Sequence, residues 1–467
     1  MGGCDLRVVI WNAHWDTFGG GEVYAAFLAD VLIQEKYTVL LIGTCKNPIQ
    51  ELRNRLGLSL NNVDYERIPG ERFLDGIVNE NDLFINGSFG SGAKSPSNKS
   101  IYICHFPSRS KRSQFLSKYL LQKYFVAYQK NGRILHPINQ SVLLIGDGYL
   151  KCTEAQPLTI RCEYGEVQVH SENFSSKPVL QGEEINILVE GNLKIISMGS
   201  LESVVSISNL PKLRLLKRFL IDRSSHDIDF LRTYSQIWTN SNFTKRHASK
   251  IWQTDSVVVY PPHLNRQTEN LLRDRYAILS IGRFMDRRNG HSKNQVELIR
   301  AFEKLIQSST EPWSLHLVGG LDYRNNSYFE KVKVMASKNS ARIFLHPNCP
   351  EKELERLLHS STFYWHATGM KIPAWKPEKM EHFGISILEA INAGLVPIVF
   401  DSAGPAEILM DFPELRFNRA RELVKKTQKL SNSDLGLLLD SLKKRAQEFD
   451  ASHFRDTVRH QIKKITN

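Results

Sequence analysis

The chain has 467 residues, 41% of them apolar and 24% charged, and its 61 Lys and Arg outnumber 49 Asp and Glu for a formal charge of +12. This is the composition of a soluble globular protein long enough for two domains, and no apolar run approaches the roughly 20 residues of a membrane span, so a bilayer-crossing chain is not expected. The positive charge biases the surface toward anions; with no nucleic-acid module and no RNA-stacking aromatic signature, nucleic acid is excluded as an expected partner and anionic lipid or a phosphorylated substrate is favoured.

The start, Met1 to Trp11, has no basic region ahead of a long apolar core, so no secretory signal is expected, and Leu6 stands where a myristoylation motif needs Ser or Thr. Cys4, Cys45, Cys104, Cys152, Cys162 and Cys349 lack C-x2-C spacing, which argues against zinc and fits a reducing, cytoplasmic setting. Leu6 to Trp11 reads as a strand, and Phe18-Gly-Gly-Gly-Glu22 then opens a helix. Tyr37 to Ile42, a helix around Glu51 to Leu56, Asp82 to Asn86 and Ser100 to Cys104 continue the alternation. Strand and helix at this spacing predict a parallel sheet covered on both faces, a Rossmann-like domain.

Between Ser108 and Gly146 there is no acidic residue, while Arg109, Lys111, Arg112, Lys118, Lys123, Lys130 and Arg133 interleave with Phe115, Leu116, Tyr119, Leu120, Tyr124 and Phe125 in a helical pattern. Such a segment either lies on an anionic membrane surface or is a domain helix with a buried aromatic stripe and a solvated basic face. The pattern then changes to short alternating runs, Leu158 to Cys162, Glu166 to His170, Ile185 to Val189 and Leu193 to Ser197, with turns at Gly165 and Gly191. These predict antiparallel hairpins in an all-β insertion over about residues 143–205.

Helical sequence resumes near Leu210, and Gln236 to Asn240 leads through Ser241 to Val257 and the Pro261-Pro262 pair. The prolines mark the hinge between a first domain, residues 1–262, and a second, residues 263–440; residues 441–467 are expected to form a helix packing back toward the first. The second series of strands is Ala277 to Ile281, Ser314 to Val318, Arg342 to His346, Thr362 to His366 and Val396 to Phe400. Two such α/β halves facing each other place ligands at the carboxyl ends of their strands, in the cleft.

The chemistry concentrates in Glu381-His-Phe-Gly-Ile-Ser-Ile-Leu-Glu389. A helix opening near Gly384 leaves its first N–H groups unpaired and aims its positive end outward, a seat for a diphosphate. Gly384 permits close approach of backbone, and the two carboxylates accept hydrogen bonds from the hydroxyls of a sugar and a ribose. With Phe383, Gly394 and the strand Val396 to Phe400, the segment resembles the E-x7-E signature of the retaining glycosyltransferases of family four, which have the two-domain GT-B fold. The resemblance covers residues 6–140 and 205–460.

That resemblance implies sugar transfer from a nucleotide donor with retention of configuration, without a metal or other cofactor. It implies that Arg283 and Lys293 stabilise the leaving diphosphate, that Glu389 binds ribose, and that Glu381 with the backbone of Phe383, Gly384 and Ile385, and with Ser386, orients the donor. Gly20 and Gly21 match the glycine-rich first loop, Gly282 the turn beside Arg283, Gly404 the loop near donor phosphate, and His105 the histidine that contacts the transferred sugar. Glu381-His-Phe-Gly-Ile and Tyr260-Pro-Pro resemble mannosyltransferases acting on lipid-linked saccharides, and are shared with polysaccharide enzymes, so the implied donor is GDP-mannose or a UDP-sugar. Trp365 either lines the nucleotide pocket or fills core, and Glu407 accompanies the Gly404 loop. Asp227-Ile-Asp229 is the D-x-D pattern of a metal-dependent alternative, but it precedes a helical stretch where acidic residues are ordinary stabilisers. A nucleotide-sugar epimerase and a non-catalytic sugar-binding relative are the competing functions.

Overall fold

The computed structural model describes residues 6–107, 228–263, 272–287, 291–322 and 325–466, together with the backbone of the strands between Tyr128 and Ile207. The chain forms two compact units, one made of Met1–Ser108 with Ile228–Asn467 and the other of Arg109–Asp227.

Two α/β domains make up the first unit. In the first, β1 (Arg7–Trp11), β2 (Thr38–Gly43), β3 (Val63–Arg67), β4 (Leu83–Asn86), β5 (Lys99–Cys104), β6 (Gln236–Thr239) and β7 (Val257–Val258) form one sheet in the order β7-β6-β5-β4-β1-β2-β3. All of its pairings are parallel, with Ile10 opposite Leu41 on one side and Ile85 on the other. β1 and β4 are near-continuous apolar runs buried on both faces, as a strand between two helical layers requires. The helices α1 (Gly20–Gln34), α2 (Ile49–Leu56) and α3 (Asn242–Trp252) belong to this domain.

The second domain repeats the plan with β8 (Asp274–Ile281), β9 (Ser314–Gly319), β10 (Ile343–Pro347), β11 (Ser361–His366), β12 (Val396–Phe400) and β13 (Arg416–Phe417), ordered β10-β9-β8-β11-β12-β13 and parallel throughout. Pro397, which has no N–H to donate, pairs with Tyr364 of β11 but precedes the overlap of β12 with β13, which begins at Val399. Two further helices matter for the site, α4 (Gln295–Gln307) and α5 (Ile385–Asn392). In both sheets the strand order reverses beside the first strand, between β1 and β4 and between β8 and β11. Crevices open there, at the carboxyl ends of the strands.

The last helix, α6 (Ala451–Thr466), packs on the first domain. Its Phe454, Val458 and Ile462 join the core that contains Tyr24 and Leu28, the Phe454 and Tyr24 rings meet edge-on at 5.3 Å, and Arg459 Nε donates to Glu35 Oε1 at 2.6 Å.

In the second unit the described strands pair antiparallel: Leu158–Cys162 with Gly165–Val169, and Ser141–Ile145 with both Ile185–Leu188 and Ser203–Ile207. This unit is wider than the 143–205 read from the sequence. Lys130 and Arg133, assigned there to a helical pattern, lie on strands paired with each other; the Asn131-Gly132 step between them is a strong hairpin signal that the charge pattern masked. Arg109, Lys111, Arg112, Lys118 and Lys123 lie outside the described residues. Among the described residues no helix is long and apolar enough to cross a membrane.

Candidate active site

The site grows from the two points where the sheets reverse their order. In the first domain, Glu22 is buried on the first turn of α1 and accepts from Gly19 N and Thr17 Oγ1, both at 2.8 Å, and from Asn12 Nδ2 at 3.3 Å. One carboxylate therefore ties Asn12, Thr17 and Gly19 together at the start of the glycine-rich loop, taking up the Gly19 N–H in doing so. His105 follows β5, with Nε2 2.9 Å from Gly87 O. A Cβ on Gly21 would come within 3.1 Å of the His105 ring, so α1 and the imidazole are in direct contact. Burial lowers the His105 pKa, outweighing the Gly87 carbonyl and the Glu22 charge that favour protonation.

In the second domain the turn after β8 carries Gly282 and the exposed Arg283. Gln295 Nε2 donates to Gly282 O and Arg283 O, both at 3.1 Å, while Gln295 Oε1 accepts from Tyr328 OH at 3.0 Å. Asn294 Nδ2 donates to Ala367 O at 2.7 Å, tying the start of α4 to the loop after β11. The stem of Lys293 lies across Gly282, where a Cβ would be 2.2 Å from Lys293 Cγ.

Lys293 Nζ donates to Glu381 Oε2, and His366 Nε2 lies 3.3 Å from the same oxygen. Burial opposes ionisation of Glu381, but Lys293, His366 and His291 together overcome it and hold the carboxyl well below the usual range. His382 is buried, stacked on Phe106 at 4.2 Å and edge-on to His291 at 4.5 Å. Burial, reinforced by His291, pushes its pKa well down. Burial likewise lowers His366 and His291.

Gly384 precedes α5 with φ of +117°, a conformation that side chains disfavour. Ser386 Oγ accepts from Tyr364 OH at 2.9 Å, and Tyr364 OH also reaches Ile281 O at 3.4 Å, joining α5 to the end of β8. Glu389 sits half-buried on the same helix. Gly404 N donates to Glu381 O at 3.0 Å, and a Cβ at Gly404 would stand 2.3 Å from Phe383 Cα. Only glycine lets these two backbones meet.

The two halves touch at the chemistry. A Cβ on Gly20 would lie 3.4 Å from Ile385 Cδ1, and Ser241 Oγ donates to His382 O at 2.6 Å. Glu407 is not free to face a donor phosphate: its oxygens accept from Asn242 N at 2.8 Å, Phe243 N at 3.0 Å and Tyr260 OH at 2.7 Å, so it caps α3 of the other domain. Trp365 is fully buried core with Nε1 on Thr427 Oγ1 at 3.0 Å and does not line a pocket. Asp229 opens a short 3-10 turn and pairs with Arg232 at 3.7 Å, and no strand ends there; Asp227 is outside the described residues. No group of acidic, His or Cys side chains suited to a metal ion occurs among the described residues.

The structure thus gathers Gly20, Gly21, His105, Gly282, Lys293, Glu381, Phe383, Gly384, Ile385, Ser386 and Gly404 around one crevice, with Arg283 exposed at its edge. Sequence reading gives no supporting role to the side chains beneath them: Glu22, Gln295, Asn294, His291, His366 and His382. Gln295 and Asn294 adjoin Lys293 in sequence, a usable signal. The histidines are scattered along the chain, and only strand order brings them together.

Residues 264–449 match the family model described as glycosyl transferases group 1. The chain resembles the GDP-Man:Man(3)GlcNAc(2)-PP-Dol alpha-1,2-mannosyltransferase of Xenopus laevis, 28% identical over 187 residues, covering 36% of this chain and 34% of that protein. The alpha-1,3/1,6-mannosyltransferase of Candida glabrata is 25% identical over 207 residues, covering 38% and 44%. The chain spans about a third of the length of the first curated relatives it matches. Among solved structures, a glycosyltransferase from Rickettsia africae superposes with a TM-score of 0.58 over 99% of this chain and 98% of that one at 12% identity. HepE of Anabaena, solved with UDP and glucose, gives 0.54 over 98% and 100% at 10% identity. The fold is the GT-B fold of glycosyltransferases.

Proposed function

We propose that the chain is a retaining hexosyltransferase that moves a sugar from a nucleoside-diphosphate donor to a saccharide or lipid-linked saccharide. The observation that carries this reading is the convergence of Lys293, Glu381, the N-terminus of α5 and His105 on one crevice, with Gly20 of the first domain against Ile385 of the second. GDP-mannose is the first donor to test, because the curated relatives are mannosyltransferases, two kinds of which are named above; a UDP-sugar is the second.

In this reading Arg283, Lys293 and the first N–H groups of α5 receive the diphosphate, Glu389 accepts from ribose hydroxyls, and Glu381 with the Phe383-Gly384-Ile385 backbone sets the donor sugar. The bond from C1 to the phosphate oxygen breaks as the acceptor oxygen bonds C1 on the same face. The acceptor proton passes to a phosphate oxygen, and the cations stabilise the charge that builds there. His105, kept neutral by burial, offers one ring nitrogen to Gly87 and the other to a sugar hydroxyl. No metal has a part in the step.

The test is product analysis after incubation with GDP-mannose or UDP-sugars and a mannose-terminated saccharide, with and without EDTA. A new glycosidic bond retaining the donor's anomeric configuration, formed equally with chelator, supports the proposal. Interconversion of the donor sugar would point to an epimerase, an intact donor to a binding protein, and loss with EDTA restored by Mn²⁺ would overturn the metal-free step.

A further inference from the structure

The loop after β4 presents an aromatic ring to solvent at the edge of the crevice. Phe89 is 57% exposed, and its ring centroid lies 6.3 Å from that of His105, tilted by 40°. An exposed phenylalanine on a slack loop would need no explanation. This loop is held from many sides. Buried Asn86 donates from Nδ2 to Ser91 Oγ at 3.0 Å and to Tyr234 OH at 2.9 Å, and its Oδ1 accepts from Ser88 N at 3.2 Å. Ser91 Oγ donates to Glu71 Oε2 at 2.6 Å, Tyr102 OH to Ser91 O at 2.9 Å, and Tyr234 OH to Ala93 O at 2.7 Å.

The loop is also fastened to its neighbour. Ala13 N donates to Ser88 Oγ at 3.2 Å, which ties the loop after β1 to the residue preceding Phe89. The result is an apolar ring held in a fixed place beside the His105 imidazole. A hexose ring presents the matching surface, a face of C–H groups that packs on an aromatic ring.

We propose that Phe89 is the stacking platform of an acceptor subsite for a hexopyranose ring. The inference rests on the glycosyltransferase reading and adds to it the location and chemistry of the acceptor site.

The test measures binding of a mannose-terminated oligosaccharide to the full chain by saturation-transfer NMR and titration, with KM for saccharide and nucleotide-sugar determined in parallel, for the wild type, Phe89→Ala and Phe89→Tyr. Phe89→Ala is expected to raise the saccharide Kd and KM about tenfold, far more than KM for the nucleotide-sugar, while Phe89→Tyr stays close to the wild type. Equal saccharide affinity in Phe89→Ala and the wild type would overturn the subsite. Absence of nucleotide-sugar turnover in the wild type would instead overturn the catalytic reading, and the saccharide titration would still decide the platform.

Discussion

Arg283 and Lys293 are both read from the sequence as cations for the leaving diphosphate, but their surroundings differ. Arg283 is exposed at the crevice edge, whereas Lys293 is largely buried and ion-paired with Glu381. Arg283→Ala should therefore fold with little change in stability yet transfer sugar about 100-fold more slowly, as steady-state rates beside a thermal melt would show; normal turnover would remove Arg283 from the site. Lys293→Ala strands a buried carboxylate. Removing one partner of such a pair costs about 3–5 kcal/mol, so this variant should lose its fold in denaturant well before the wild type. If its unfolding midpoint matched the wild type, the ion pair would not be holding Glu381.

The buried histidines give this residue cluster a pH dependence with a definite sign. His291, His366 and His382 have folded pKa values below their unfolded value of about 6.5. In the window between the two values the unfolded chain binds more protons, so stability is complete above that window and falls as pH drops through about 6.5. Glu381, whose folded pKa is depressed, adds stability that persists until pH falls through a much lower range. Denaturant midpoints should therefore decline from pH 8 to pH 5, with a shallower decline in His382→Gln. Identical midpoints across that interval would contradict burial of these rings as neutral groups.

At the scale of elements, Glu407 joins one domain to the start of a helix in the other. Loss of its carboxylate leaves the first N–H groups of α3 without their acceptor, a capping loss of about 0.5–2 kcal/mol. Glu407→Ala should speed hydrogen exchange at Asn242 and Phe243 selectively, with Glu407→Gln intermediate. Unchanged exchange at those two amides would show that the cap is replaced by another group. α5 illustrates the complementary case, where the helix start depends on backbone shape: Gly384 at φ of +117° and Gly404 against Phe383 set where the helix begins.

At the scale of the whole molecule, the open question is where the acceptor is met. The basic segment with Lys111, Arg112 and Lys118 would bind anionic lipid with about 1 kcal/mol for each Lys or Arg near the surface, lost at high salt. The full chain should co-float with vesicles containing anionic lipid at low salt, less so at high salt or after charge reversal at those three positions. Equal recovery with neutral and anionic vesicles would leave an acceptor presented in solution.

Much of this fold was legible along the chain because its determinants are local. Apolar runs such as Val396 to Phe400 are long enough for doubly buried strands, and a glycine before Ile385 can open a helix whatever surrounds it. The E-x7-E spacing is likewise local, with Glu381 just ahead of α5 and Glu389 on it. The tertiary structure alone decided which partners those residues have. Lys293 meets Glu381 across 88 positions, Glu407 caps α3 across more than 160, and α6 returns to the first sheet's core. Such contacts follow from strand order and domain packing, which no local period encodes. The same cause separates Trp365 from the site: period 2 places its side chain on one face of β11, but only the packing of Thr427 against that face makes it core.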